Sequence, residues 1–131
     1  MSAGVGGRTV RVQSRAKGTA GEDRAVAWLC SRGWTIRERN FRTRRGEIDI
    51  IAEKSSTVAF IEVKAWDSLP QSELEYALSA RKQGRISQAA RFYLARHPEV
   101  TGRQMRFDVI FMAAGSELVR HIEGAFNGGV D

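Results

Sequence analysis

Two apolar segments, Glu47–Glu53 and Thr57–Lys64, stand only three residues apart, and that gap constrains the fold more than any other feature of the chain. Antiparallel strands can be joined by a two-residue turn, whereas parallel strands need a crossover of a dozen or more residues. With Ser55-Ser56 at the centre of the turn, the two segments form a hairpin in which Asp49 faces Glu62 and Glu47 faces Lys64. Directly opposed residues share a face of the sheet, with Cβ atoms about 4.5–5.5 Å apart. A slip of one residue would send Asp49 and Glu62 to opposite faces, so the register decides whether these charges meet.

The charges are embedded among Ile48, Ile50, Ile51, Phe60, Ile61 and Val63, residues of the kind that build cores. Charge inside an apolar strand is costly unless it is paired or used. Two carboxylates at about 5 Å repel by roughly 3 kcal/mol at an effective dielectric near 20, a large sum beside a domain stability of about 5–15 kcal/mol. A divalent cation, a trapped proton or Lys64 could each compensate. For the cation, an oxygen-only donor set favours Mg²⁺ or Mn²⁺ over zinc.

Around the hairpin the pattern predicts a mixed α/β fold, in which helices pack on one sheet of about five strands. A helix is expected from Thr19 to Gly33, because Ala25, Trp28, Leu29 and Arg32 recur at three-and-four spacing and a glycine closes it. Thr19 and Glu22 spell a capping box at its start. A first strand is expected over Trp34–Arg39, followed by a bend from Asn40 to Gly46. After a loop at Ser68–Pro70, a helical stretch runs from Glu73 to Arg96, opened by a Ser72/Glu75 capping box and interrupted near Gly84. Its buried stripe is Ile86, Ala89, Ala90, Tyr93 and Leu94, and His97-Pro98 ends it. Strands over Gln104–Met112 and Glu117–Ile122 complete the order of helix, three strands, helix, two strands.

At 131 residues the chain fits one domain, expected over 17–131 behind a flexible basic arm at 1–16. One cysteine, Cys30, and no apolar run near ~18 residues lead to the expectation of a cytoplasmic protein without a membrane partner. They argue against secreted, membrane-spanning and zinc-finger classes. The net charge of +6 is uneven, since Arg8, Arg11, Arg15 and Lys17 contribute +4 before any acid occurs. An anionic partner is favoured, with nucleic acid first.

Asp49, twelve further residues and then Glu62-Val63-Lys64 resemble the core of the PD-(D/E)XK nuclease superfamily, the restriction-endonuclease-like fold. The chain more closely resembles the YraN family of small bacterial proteins, similar to Holliday junction resolvases. That likeness is carried by Gly21-Glu22, Asn40, Arg45-Gly46-Glu47-Ile48-Asp49, Phe60-Ile61-Glu62-Val63-Lys64, Lys82, Ala89-Ala90, Tyr93-Leu94 and Arg106-Phe107-Asp108-Val109. The family commonly has a basic residue just after the lysine, where this chain reads Ala65-Trp66.

The resemblance implies an αβββαβ core and metal-dependent hydrolysis of phosphodiester bonds in DNA, selective for junctions or branches. Asp49 and Glu62 would hold Mg²⁺ or Mn²⁺, with the Val63 carbonyl completing the shell. Lys64 would position the attacking water or stabilise charge on the phosphate, and Glu22 would match the first-helix acid of the resolvases. Resolvase-like folds often dimerise, so a homodimer is compatible with this reading. The alternative is a catalytically silent nucleic-acid-binding module of the same fold.

Several of these residues also have plainer explanations. Glu22 could be the acidic half of the Thr19 cap, and Glu47 with Lys64 a cross-strand ion pair. Asp108 is expected to be a structural partner of Arg106 or Arg45, and His97 and His121 to be structural or exposed. Arg37, Arg39, Arg42, Arg44 and Arg45 could track a phosphate backbone or form a solvated strand edge. Arg81, Lys82 and Arg85 offer the same choice on the second helix, with Lys82 expected to face the sheet because it precedes Ile86 by four.

Overall fold

The computed structural model describes residues 12–66, 79–113 and 118–129. One five-stranded sheet is built from β1 (Thr35–Arg42), β2 (Glu47–Lys54), β3 (Thr57–Trp66), β4 (Gln104–Ala113) and β5 (Val119–Phe126), in that spatial order. Helix α1 (Val12–Ser31) precedes β1, and α2 (Ala80–Arg96) lies between β3 and β4. Neighbouring strands are antiparallel except β3 and β4, whose parallel pairing is what the intervening helical segment permits. This is the expected mixed α/β order, consistent with a restriction-endonuclease-like core.

The sheet has two buried faces. Ala25 and Leu29 of α1 pack with Ile50, Ala52, Ala59, Ile61, Ile110 and Met112. On the other side Ile86, Ala89, Ala90 and Tyr93 of α2 pack with Ile51, Phe60, Phe107, Val109 and Phe111. Near-continuous apolar runs in β2, β3 and β4 follow from this, because a strand covered on both faces has no wet side to alternate with. Tyr93 anchors α2, with its ring edge-on to Phe41 and Phe60 and its hydroxyl accepting a 2.7 Å bond from Arg37 Nε.

Helix α1 starts at Val12, so Thr19 lies inside the helix and is not its N-cap. Residues 12–16 of the expected arm are therefore helical, and the arm before Val12 lies outside the described residues. The other end closes as expected: Gly33, at φ 93°, donates to Cys30 O, and Trp34 donates to Leu29 O. That pair of bonds is a Schellman motif, which only a residue tolerant of left-handed backbone closes without strain. Ser79 caps α2, accepting from Lys82 N at 3.2 Å, and the helix then passes Gly84 without a break. The Ser68–Pro70 loop, the Ser72/Glu75 cap and the side chain of Trp66 lie outside the described residues.

The pairing of β2 with β3 has the register that a Ser55-Ser56 turn demands, from Lys54↔Thr57 to Ile50↔Ile61. It stops there. β1 stays paired with β2 as far as Arg42↔Glu47, and β4 with β3 as far as Trp66↔Ala113. The sheet therefore forks between Asp49 and Glu62, and the candidate site occupies the fork.

Candidate active site

Within the fork Asp49 Oδ2 accepts a hydrogen bond of 2.8 Å from the Val63 backbone N–H, a donor that a continuous ladder would have used. Glu62, buried on β3, receives Lys82 Nζ at 2.8 Å and Lys64 Nζ at 3.7 Å on Oε2. Lys82 reaches it because Ser79 fixes the first turn of α2 over this end of the sheet. From the opposite layer α1 supplies Glu22, also buried, whose Oε1 lies 3.9 Å from Arg39. Asp49, Glu62, Lys64, Lys82 and Glu22 thus interact as one electrostatic cluster.

The balance within the cluster is uneven. Burial, and then the charge of Glu62, push the Asp49 carboxyl up to about 8, although the Val63 N–H pulls the other way. Lys64 is pulled below its ordinary value, first by burial and then by Lys82 beside it. Burial is the largest influence on Lys82 and lowers it, but the bonds to Glu62 and Lys64 and the charges of Glu62 and Asp49 together outweigh it, and the net shift is upward. Of the three compensations left open by the sequence, ammonium groups stand on Glu62, and the upward shift of Asp49 favours a second, a proton on its carboxyl.

The donor set suits a hard divalent cation. Asp49 and Glu62 offer oxygen donors, the charge of Glu62 raises the cost of ionising Asp49, and Val63, whose carbonyl is the expected third donor, is tied to Asp49 through its N–H. Among the described residues no three His, Cys, Asp or Glu side chains form a closed cage. Mg²⁺ needs none, since it keeps several waters and takes one or two carboxylates.

The rim comes from the β1–β2 turn and α2. Thr43 ties the turn by accepting from the N–H groups of Arg45 and Gly46, each at 3.1 Å, while its own N–H donates to Gly46 O. Gly46 lies so close to α2 that a Cβ there would sit 2.2 Å from the Arg85 carbonyl oxygen, which only glycine avoids. Between the turn and the helix opens a cleft of about 770 Å³ with Glu62 and Lys82 in its wall and Arg42, Arg44, Arg81 and Arg85 around them.

The arginines divide by partner. Arg37 is held by Tyr93, Glu53 and Glu99, Arg39 by Asp23 and Glu22, and Arg42 by Glu47. Among the described residues Arg44, Arg45, Arg81 and Arg85 make no ion pair, and all four border the cleft or the surface next to it. The expected facing of Glu47 and Lys64 is corrected. Glu47 bonds Arg42 at 3.1 Å, because the β1–β2 ladder extends to that pair while the β2–β3 ladder ends before it. Lys82 faces the sheet as expected.

Asp108 meets Arg106 in a two-pronged contact, both bonds 3.0 Å, as expected, and also His121 Nε2 at 2.8 Å. The role of His121 was not legible in the spacing of the histidines. An acid inside the apolar β4 demanded a donor from its neighbour β5, and that was the available signal. Also missed was the close contact of Gly46 with α2.

Comparison with known proteins identifies the family. The profile of the family described as "Uncharacterised protein family UPF0102" matches residues 21–112, a stretch that contains every candidate site residue from Glu22 to Arg85. A UPF0102 protein of Myxococcus xanthus is 38% identical over 125 residues, covering 94% of this chain and 98% of its own. A UPF0102 protein of Rhodopseudomonas palustris is 44% identical over 117 residues, covering 89% and 88%. One of Persephonella marina is 40% identical over 111 residues, covering 85% and 93%. The chain, known above by its resemblance to YraN proteins, belongs to the UPF0102 (YraN) family.

Proposed function

We propose that this chain is a divalent-metal-dependent nuclease that hydrolyses DNA phosphodiester bonds. The observation that carries the reading is the half-buried Asp49 beside the buried Glu62 in the fork of the sheet, with two lysines beside them and, among the described residues, Arg44, Arg81 and Arg85 without an acidic partner around the neighbouring cleft. A fold maintained for stability alone gains nothing from a carboxylate whose ionisation a neighbouring carboxylate opposes, and a carboxyl perturbed in this way marks a functional site.

In this reading Asp49 and Glu62, with the Val63 carbonyl, hold Mg²⁺ or Mn²⁺. The ion supplies Lewis-acid polarisation and neutralises charge on the scissile phosphate. Lys64, 3.7 Å from Glu62, is placed to donate to a water or phosphate oxygen beside that carboxylate. Glu22 adds negative charge from α1 that favours cation binding and raises the cost of leaving Asp49 ionised without one. Arg42, Arg44, Arg45, Lys82 and Arg85 bind the flanking phosphates, a role that positions DNA without reading sequence.

One observation favours the second reading, a nucleic-acid-binding module without turnover: the 2.8 Å contact from Lys82 neutralises Glu62 in the absence of any metal. Calorimetric titration with Mn²⁺ at pH 7, in two buffers of different ionisation enthalpy, separates them. The nuclease takes up the cation and releases the Asp49 proton, and Asp49→Ala does neither. Lys64→Ala keeps the cation yet loses cleavage of duplex, flap or junction DNA by about 10²–10³-fold. Wild-type protein that binds DNA but neither takes up Mn²⁺ nor cuts any of the three substrates would establish the silent module.

A further inference from the structure

Beyond the cleft that holds Glu62, the same surface continues into a second groove of about 740 Å³. It shares Arg42, Thr43 and Arg44 with the first, and its remaining wall is Arg45, Gln88, Arg91 and Phe92. Among the described residues no carboxylate lines it. Among the described residues Arg44, Arg45 and Arg91 have no acidic partner, so the groove presents uncompensated positive charge.

Phe92 is the unexpected member. It is 42% exposed, on a helix whose opposite stripe buries Ile86, Ala89, Ala90 and Tyr93. The only other large hydrophobic residue so exposed among the described residues is Leu118, before β5. Arg96 lies over the Phe92 ring at 4.2 Å, and Phe41 approaches it at 6.3 Å, so the ring is held in place yet still open to solvent. An aromatic ring among unpaired guanidinium groups suits a ligand that has both π-faces and phosphates. Duplex DNA offers the phosphates but hides the faces of its bases in the stack. Only an unpaired base can use the ring.

We infer that this groove holds an unpaired nucleotide of the DNA, with its base against Phe92 and its phosphates against Arg44, Arg45 and Arg91, so that the preferred substrate carries a single-stranded segment beside the cut. The inference rests on the nuclease reading for the cut and adds the substrate class. Ten residues separate Lys82 at the acid pair from Phe92, which is about 15 Å along α2. The unpaired nucleotide would therefore sit a few nucleotides from the scissile bond.

The test is fluorescence anisotropy with three labelled probes, a single-stranded oligonucleotide, a flap and a blunt duplex, on wild type, Phe92→Ala and Phe92→Trp. Phe92→Ala should weaken the single strand and the flap by roughly 5- to 150-fold, with the duplex changed less than about twofold. Phe92→Trp should restore affinity, and its fluorescence should be quenched by the single strand and the flap but not by the blunt duplex. Equal loss on all three probes, or none on the single strand, overturns the inference while leaving the nuclease reading intact. A free mononucleotide, or a glutamate-rich peptide, bound as tightly as the single strand and with the same dependence on Phe92 would assign the groove to that ligand instead. Wild-type protein that binds none of the DNA probes overturns both readings.

Discussion

Two aspartates sit in the same sheet and meet opposite treatment. Asp108, buried on β4, is completed by its surroundings: Arg106 binds both oxygens, His121 and the Gly124 N–H bind one each, and all four contacts lie between 2.8 and 3.0 Å. Burial acts to raise it, but these donors outweigh burial and hold the carboxyl below its ordinary range. A carboxylate can only accept, so the His121 tautomer carries its hydrogen on Nε2. Asp49 receives one backbone N–H and faces Glu62, Glu22 and Glu47. The first is an anion built into the fold. The second is left with its carboxyl raised by burial and acidic neighbours despite two lysines nearby, a condition that stability would not select and a cation would relieve.

The largest expected effect breaks the Asp108 side of that contrast. Asp108→Ala leaves Arg106 and His121 without their shared acceptor, and His121 lies against Trp28 and Trp34, where water cannot readily replace it. Removing one partner of a buried charged group costs about 3–5 kcal/mol. Urea unfolding should show that loss with little change in slope. A loss under about 1 kcal/mol would mean that Asp108 is no anchor and that the contrast with Asp49 has no basis in stability.

The two regions were also unequally legible in the sequence. The fork could be placed because a two-residue turn fixes every pairing in the hairpin, and Ser55 takes the left-handed φ of 55° that such a turn requires. Lys82 could be placed because helical spacing ties it to Ile86. The partner of Glu47 could not, since that depended on where one ladder ends and the next continues. The start of α1 was hidden because its first turns hold Ser, Lys, Gly and Thr, without the apolar periodicity that begins near Ala25. The His121 contact joins strands paired through Ile110↔His121, a register set by a connection whose turn residues signal no fixed length.

Stability against pH, measured on metal-free protein, sharpens the comparison because the two signs differ. Asp49 has its folded value raised, to about 8 from 3.8. Between those values the native state binds the extra proton, so its contribution falls as pH rises from about 4 to 8. Asp108 has its folded value lowered. Its contribution is present above the ordinary carboxylate value and is lost as pH falls through the folded one. Thermal melts from pH 3 to 9 should therefore show an acid limb that Asp108→Asn removes and a decline between about pH 4 and 8 that Asp49→Asn flattens. A decline unchanged in Asp49→Asn would show that Asp49 is ionised throughout.

The smallest expected change in stability carries the most information. At pH 4 the folded wild-type Asp49 holds its proton and the unfolded chain is only partly ionised, and asparagine matches the protonated side chain in size while keeping an oxygen for the Val63 N–H. Asp49→Asn should then alter stability by less than about 1 kcal/mol, against the several lost at Asp108. At pH 9 the sign should favour the variant, because the wild-type carboxylate now repels Glu62 and the amide does not. Cleavage and Mn²⁺ uptake should disappear in the same variant, since an amide oxygen is a poor substitute for a charged ligand. A residue that costs nothing to neutralise and everything to function is one the fold holds for chemistry. A loss of several kcal/mol at pH 4 would instead place Asp49 beside Asp108, as an anion the sheet needs in order to fold.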